Sequence, residues 1–200
     1  MNGAYAEYIR VPARIVSKNL YPIPNHVTFR DAALTEPLSC ALRCIEEYPV
    51  TSRDTVLVIG AGPCGLLFVQ LAKKTGAKVI CIGRNLTKLE AAKNLGADHA
   101  LSVLLSTNIE EEVRKLANNG YGPDLVIEAA GQQETWELAC SIVRKGGRVS
   151  FYGGCPQGTK MSLDTHRAHY EELSLHGVFH HTPDHFRRAL ALITEGKIDV

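Results

Sequence analysis

The chain has almost no net charge: 22 Lys and Arg stand against 21 Asp and Glu, for a formal +1 over 200 residues. That balance leaves no basic face to argue for nucleic acid. No apolar run is long enough to span a bilayer. The first residues lack the basic, apolar and small-residue zones of a signal peptide. The six cysteines, Cys40, Cys44, Cys64, Cys81, Cys140 and Cys155, contain no C-x-x-C pair. Four of them fall inside apparent helices or strands, so they read as buried free thiols of a reducing cytoplasm. Low complexity and internal repeats are absent too. What remains is an ordinary globular composition, 45% hydrophobic and 22% charged. The length suits one large domain, or one domain plus a fragment, with a core that needs no staples.

The most informative stretch is Val56 to Gly65, Val-Leu-Val-Ile-Gly-Ala-Gly-Pro-Cys-Gly. An apolar run ends in Gly60, Gly62 and Gly65, and an apolar helix follows through Leu66, Leu67, Val69 and Leu71. Gly60 permits a tight turn, Gly62 leaves room for a pyrophosphate, and Gly65 lets the helix lie close on the strand. With strand before and helix after, this G-x-G-x-x-G has the context of a dinucleotide site, with Pro63 and Cys64 opening the helix. Strand and helix patterns then alternate. Strands are expected at Lys78–Ile82, Ala100–Val103, Asp124–Ala129, Arg148–Tyr152 and Leu173–Phe179. Helices are expected at Leu86–Leu95, Ile109–Ala117 and Glu134–Val143, and on the Phe186, Leu190 and Ile193 face, capped by Asp184. Repeated units of this kind predict an α/β fold, a Rossmann doubly wound parallel sheet. The first third differs: a strand over Ala4–Val11, a loop at Pro22 and Pro24, a short helix over Thr28–Leu34, and a longer one over Leu38–Glu47. Met1-Asn2-Gly3 enters that first strand without a turn, and Lys197 to Val200 stops where another strand could follow. The chain therefore reads as a piece of a longer one.

The choice of nucleotide turns on another absence. In this fold a carboxylate about twenty positions after the glycines bonds the adenosine ribose. Here the second strand ends in Gly83, Arg84 and Asn85, with Lys88 one helical turn further on. Arginine attracts a 2′-phosphate that a carboxylate would repel, which favours NADP(H) over NAD(H). A solvated Arg84 and an enzyme that tolerates either cofactor is the alternative. Ala129, Ala130 and Gly131, and Tyr152, Gly153 and Gly154, put small residues at the ends of the fourth and fifth strands, where a ligand needs room.

The order of these motifs resembles the medium-chain dehydrogenase/reductase family, of the zinc alcohol and polyol dehydrogenase type. The matching stretches are Gly3 to Pro12, Glu36-Pro-Leu-Ser-Cys-Ala41, the glycine loop, Leu95-Gly-Ala-Asp98, Asp124 to Gly131 and Lys145-Gly-Gly-Arg-Val149. Gly177 to Pro183 looks closest to the sorbitol and iditol dehydrogenase branch. The resemblance implies hydride transfer between a secondary alcohol or polyol and NAD(P), with zinc as Lewis acid. It also implies that Glu36 binds zinc or its water, and that Cys40 lies near the nicotinamide. Tyr152, Val178 and His180 would hold the carboxamide, and His180 would also reach a substrate hydroxyl. Residues 1–34 would be the remnant of a GroES-like catalytic domain and 35–200 the cofactor domain. Family members often dimerise through the sheet edge, here near Leu173–Phe179.

The departures limit that reading. The zinc cysteine, the Gly-His-Glu motif and the four-cysteine lobe of the family do not occur here. Glu36 alone cannot supply the three protein ligands of catalytic zinc. Six of the eight histidines lie between His166 and His185, but adjacent His180 and His181 would point to opposite faces of a strand. Those histidines read as structural or solvated. The expectation is thus the cofactor half of a zinc dehydrogenase, inactive alone. The alternatives are a truncated nucleotide-binding module, a zinc-free NADPH quinone reductase relative, or a methyltransferase.

Overall fold

The structure, a computed structural model, describes residues 5–200. Ala4, the start of the expected first strand, lies outside them. Residues 5–12 form no strand, and helix α1 follows at Ala13–Asn19. Tyr5 and Tyr8 are exposed there. The alternating pattern misleads because a strand needs a neighbour for its backbone, and none of the six sheet strands pairs with this segment. Helix α2, Phe29–Ala32, is capped by Thr28, whose Oγ1 accepts from the Asp31 N–H at 3.1 Å. Helix α3, Thr35–Glu47, starts three residues before the expected Leu38. Pro37 therefore sits in its first turn, where a missing N–H does no harm. Tyr21 stacks on Phe186, and the His26 ring meets the Thr194 carbonyl at 3.1 Å, so the opening segment packs on the last helix.

The Rossmann units follow the expected rhythm to within a residue or two. They run β1 Thr55–Ile59, α4 Pro63–Lys74, β2 Lys78–Gly83, α5 Leu86–Asn94, β3 His99–Ser102, α6 Ile109–Leu116, β4 Leu125–Glu128, α7 Gln133–Ile142 and β5 Arg148–Phe151. A short helix α8, Thr165–Tyr170, precedes β6, Ser174–Gly177, and α9 spans Pro183–Thr194. The strands form one parallel sheet in the order β3-β2-β1-β4-β5-β6. Two expectations change in detail. β6 is shorter than Leu173–Phe179, and α9 is capped by Thr182, not Asp184. Threonine two places earlier reaches the His185 N–H, while Asp184 pairs with Arg187 and Arg188.

Apart from Thr55, Lys78 and Glu128 at their ends, strands β1, β2 and β4 carry no polar side chain, because both faces are covered. Val56, Val58, Val79, Cys81 and Ile127 face one buried layer with Phe68. Leu57, Ile59, Ile80, Ile82, Val126 and Val149 face the other. The amino ends of the strands are braced by aspartates. Asp124 accepts from the Thr55 N–H at 2.7 Å and Asn118 Nδ2 at 2.7 Å, and pairs with Arg144 at 2.6 Å. Asp98 accepts from the Val79 N–H at 2.7 Å and pairs with Lys73 at 2.7 Å. Far along α4, buried Gln70 bonds the Asp199 backbone twice, donating to its carbonyl and accepting from its N–H, each at 2.8 Å. All six cysteines are free thiols. Only Cys44, Cys81 and Cys140 are buried, however. Cys40, Cys64 and Cys155 are partly exposed, which corrects the expectation of six buried thiols.

Candidate functional site

The chain leaves β1 in one direction through β2 and β3 and returns to place β4 on the other side of β1. Beyond the carboxyl ends of β1 and β4 the crossovers diverge, and a crevice opens. It holds a cavity of about 500 Å³ lined by Gly60, Ala61, Gly62, Gly83, Arg84, Asn85, Lys88, Val103, Ala129, Ala130, Gln132, Glu134 and Thr135, with Ile59, Ile82 and Leu138 beneath.

The glycine loop is built as its sequence suggests, with a distinct reason at each position. Gly60 has φ +109°, a conformation that side chains rarely adopt. A Cβ on Gly65 would sit 1.8 Å from the Gly60 carbonyl oxygen, so α4 can meet the loop only through glycine. Gly62 has an ordinary φ of −77°, and a Cβ there would meet nothing within 4 Å. Its missing side chain instead leaves space open at the cavity wall. Gly62 is also the N-cap of α4, and no side chain caps that helix. By contrast Asn85, Asn108, Asp164 and Thr182 cap α5, α6, α8 and α9 with side-chain oxygens. The leading amides of Cys64 and Gly65, with the positive end of the helix dipole, are left for a ligand anion.

At the opposite wall stand the exposed Arg84 and Lys88. Neither side chain makes an ion pair or hydrogen bond among the described residues. Asn85 lies between them, its Oδ1 accepting from the Lys88 N–H at 3.0 Å. No carboxylate closes β2, and Glu134 is the cavity's one acidic lining residue.

The other expected residues gather near the ends of β5 and β6, against α3. The Tyr152 hydroxyl meets Cys64 Sγ at 3.6 Å, and its ring meets Phe68 edge-on at 4.8 Å. Cys40 Sγ lies 3.5 Å from Glu36 Oε1. Burial, with the Glu36 charge, pushes the Cys40 thiol up to about 11, so it stays protonated at neutral pH. Burial and the Cys64 contact likewise raise the Tyr152 phenol, which stays neutral. Val178 is buried, and its N–H donates to the Phe151 carbonyl at 3.4 Å. His180 is exposed at φ +67°, its ring 4.0 Å from that of Phe179. Arg43 donates to the Phe179 carbonyl at 2.9 Å and ties this loop to α3. His181, read from the sequence as structural or solvated, has a buried Nε2 without a partner among the described residues. Burial lowers its pKa despite the opposing charge of Glu36.

Glu36 is exposed at the start of α3. Among the described residues no three His, Cys, Asp or Glu side chains come together as a metal set. They therefore do not by themselves make a zinc centre of three protein ligands. Sequence reasoning also missed Glu128, which holds the wall beneath Ala129 and Ala130. The available signal was a charged residue ending the buried run Leu125-Val-Ile-Glu128.

The zinc-binding dehydrogenase family pattern matches residues 63–195. A sorbitol dehydrogenase of Halalkalibacterium halodurans is 32% identical over 200 residues, covering 99% of this chain and 56% of that protein. A crystal structure from Sinorhizobium meliloti 1021, described as a zinc-binding dehydrogenase bound to NADP, superposes with a TM-score of 0.84 at 32% identity. The match covers 90% of this chain and 53% of that one. A structure described as a short chain alcohol dehydrogenase from Escherichia coli CFT073, complexed with NADH, gives a TM-score of 0.85 at 28% identity, covering 99% of this chain and 56% of that one. The chain thus spans about half the length of the relatives it matches. From the glycine loop to the end of α9, its sequence and its sheet lead to one assignment: this chain belongs to the zinc-binding dehydrogenase family.

Proposed function

We propose that this chain binds NADP(H) in preference to NAD(H) and serves hydride transfer to or from a secondary alcohol or polyol. The observation that carries the cofactor choice is the pair Arg84 and Lys88, unpartnered at a cavity wall where no strand-end carboxylate stands. A 2′-phosphate there gains charge-assisted hydrogen bonds from the Arg84 guanidinium. The pyrophosphate lies over Gly60 and Gly62 and takes the uncapped amides of Cys64 and Gly65. Gly83, Asn85, Ala129, Ala130 and Gly153 shape the remaining walls. Tyr152, Val178, Cys40 and His180 face the nicotinamide end, with His180 nearest to substrate. When bound, the nicotinamide supplies the hydride acceptor or donor, and the protein supplies orientation and the exclusion of water. Glu36 would hold zinc only together with ligands that residues 5–200 do not supply.

The polyol reading follows the sorbitol dehydrogenase similarity and the Gly177 to Pro183 run. Residues 1–34 belong on this reading to a second, GroES-like domain, and 35–200 to the cofactor domain. A small alcohol is the partner, and a second copy docks along the exposed edge of β6. Among the described residues no helix is long and apolar enough to cross a membrane. The free thiols fit a reducing cytoplasm.

Titration of the purified chain with NADPH and NADH, followed by nucleotide fluorescence, is the test. NADPH should bind at least about tenfold more tightly, the equivalent of about 1.4 kcal/mol. Turnover of polyols with added zinc should be negligible. Equal affinities overturn the role of Arg84, and zinc-dependent turnover by this chain overturns the missing-ligand reading.

A further inference from the structure

Glu128 is the most deeply buried carboxylate of the site, with no exposed surface, at the last position of β4. One oxygen, Oε1, accepts three hydrogen bonds: from the Ala130 N–H at 2.8 Å, the Gly131 N–H at 2.9 Å and Thr135 Oγ1 at 2.7 Å. The other, Oε2, is buried with no partner. Its neighbour is Gly153, where a Cβ would lie 2.6 Å from Oε2 and 2.5 Å from the Gly131 N–H nitrogen. The Glu128 carbonyl meanwhile accepts from both Tyr152 and Gly153, at 3.0 and 2.8 Å. One residue thus fastens the turn after β4, the first turn of α7 and the end of β5.

A carboxylate in such a place is costly, since burial strips it of water and one oxygen gains nothing in return. An apolar side chain would fill the volume more cheaply. It could not hold two successive amides and a hydroxyl at one point. Those three donors belong to the cavity's own wall, because Ala130 and Thr135 line it and Gly131, at φ +68°, turns between them.

We propose that Glu128 is a positioning residue for the dinucleotide. Its buried carboxylate fixes the Ala129–Gly131 turn and the start of α7 in the shape on which the cofactor lies. The proposal rests on the cofactor reading above, and it assigns Glu128 no contact with the nucleotide.

The test is NADPH binding by the full chain and by Glu128→Gln, Glu128→Asp and Glu128→Ala. Each is first checked for a cooperative thermal transition by circular dichroism. Trp136, the single tryptophan, stacks on Phe151 and donates to the Gly153 carbonyl at 2.9 Å, so its emission reports this wall in the absence of nucleotide. Glutamine keeps a carbonyl acceptor in the Oε1 position and should bind NADPH within about threefold of the parent chain, consistent with loss of a single modest term. Aspartate keeps the charge but withdraws the oxygens by one carbon. Aspartate and alanine should each weaken binding at least about tenfold, the scale of two or more lost hydrogen bonds to a charged group. Trp136 emission should shift in those two variants while the chain remains folded. If alanine does not fold, aspartate against glutamine decides. Folded aspartate or alanine variants that bind NADPH within twofold of the parent overturn the positioning role. A glutamine variant as weak as alanine overturns it too. A parent chain that binds no NADPH overturns the cofactor reading itself, an outcome visible before any variant is made.

Discussion

The two ends of the parallel sheet are built on opposite rules. At the amino ends, polar groups are paired. Asp124 gathers Thr55, Asn118 and Arg144, Asp98 gathers Val79 and Lys73, and Asp54 faces Arg148 at 3.7 Å. At the carboxyl ends, groups are left open. Among the described residues helix α4 has no side-chain cap, the Arg84 and Lys88 side chains have no partners, and Glu128 Oε2 is buried alone. The named polar groups are paired at the amino ends and left open at the carboxyl ends, where the cofactor reading places the ligand. Unsatisfied groups cost free energy: on the cofactor reading a ligand completes the α4 amides, Arg84 and Lys88, while Glu128 Oε2 stays open as the cost of holding the wall.

Substitutions can break or sharpen that contrast, and the largest effect should come from Gly65→Ala. The added methyl would coincide with the Gly60 carbonyl, so the loop and α4 must separate. A loss of more than about 3 kcal/mol in urea unfolding is expected, together with loss of nucleotide binding. Next is Asp124→Ala, which strands the Thr55 amide and Arg144 at the other end of the sheet. About 2–4 kcal/mol should be lost, while NADPH affinity of the folded fraction stays unchanged.

The same residue predicts a pH dependence. Burial alone would raise the Asp124 carboxyl, but the Thr55, Asn118 and Arg144 bonds outweigh it and hold its pKa below the ordinary value. A depressed pKa stabilises the fold above the unfolded-state value of about 4, and that contribution drains away as pH falls through the folded value. Asp124→Asn should flatten this acid limb in thermal melts below about pH 4.

Gly62→Ala reverses the pattern of Asp124. The Cβ meets nothing within 4 Å, so stability should move by no more than about 1 kcal/mol, while NADPH affinity falls at least about tenfold. The smallest effect belongs to Arg84→Gln. Stability should stay within about 0.5 kcal/mol, NADH binding should be unmoved, and NADPH should weaken by roughly tenfold. A change in NADH affinity as large as that for NADPH would show that Arg84 contacts something other than the 2′-phosphate.

The sheet was legible because its strands are written as short apolar runs stopped by glycine or polar residues. β1, β2 and β4 are covered on both faces, and the short, mostly β-branched runs Val56 to Ile59 and Val79 to Ile82, each followed by glycine, fit a parallel interior. The cavity's glycines and Arg84 were legible for the same local reason, since turn geometry and charge act within a few residues. What escaped notice was set by distance in the chain. Helices α1 and α8 have no buried residue, so no apolar stripe marked them. Residues 5–12 sit in a stretch that alternates like a strand, but no strand of the described residues pairs with them. Glu128 fell inside the expected strand Asp124–Ala129 and drew no role of its own. Its importance comes from Gly153 and Thr135 closing over it, and no periodicity encodes that. The capping of α9 was misplaced by two residues because aspartate and threonine both suit the position.

Helix α4 is held at two places. Its first turn is pressed against the Gly60 carbonyl, and further along Gln70 grips the backbone of Asp199 with two bonds. A rod fixed at two points cannot slide or swing by itself. The glycine loop is thereby held close to the sheet, and on the cofactor reading it has less freedom to lose when a nucleotide arrives. Its share of the affinity is set by entropy already spent in folding.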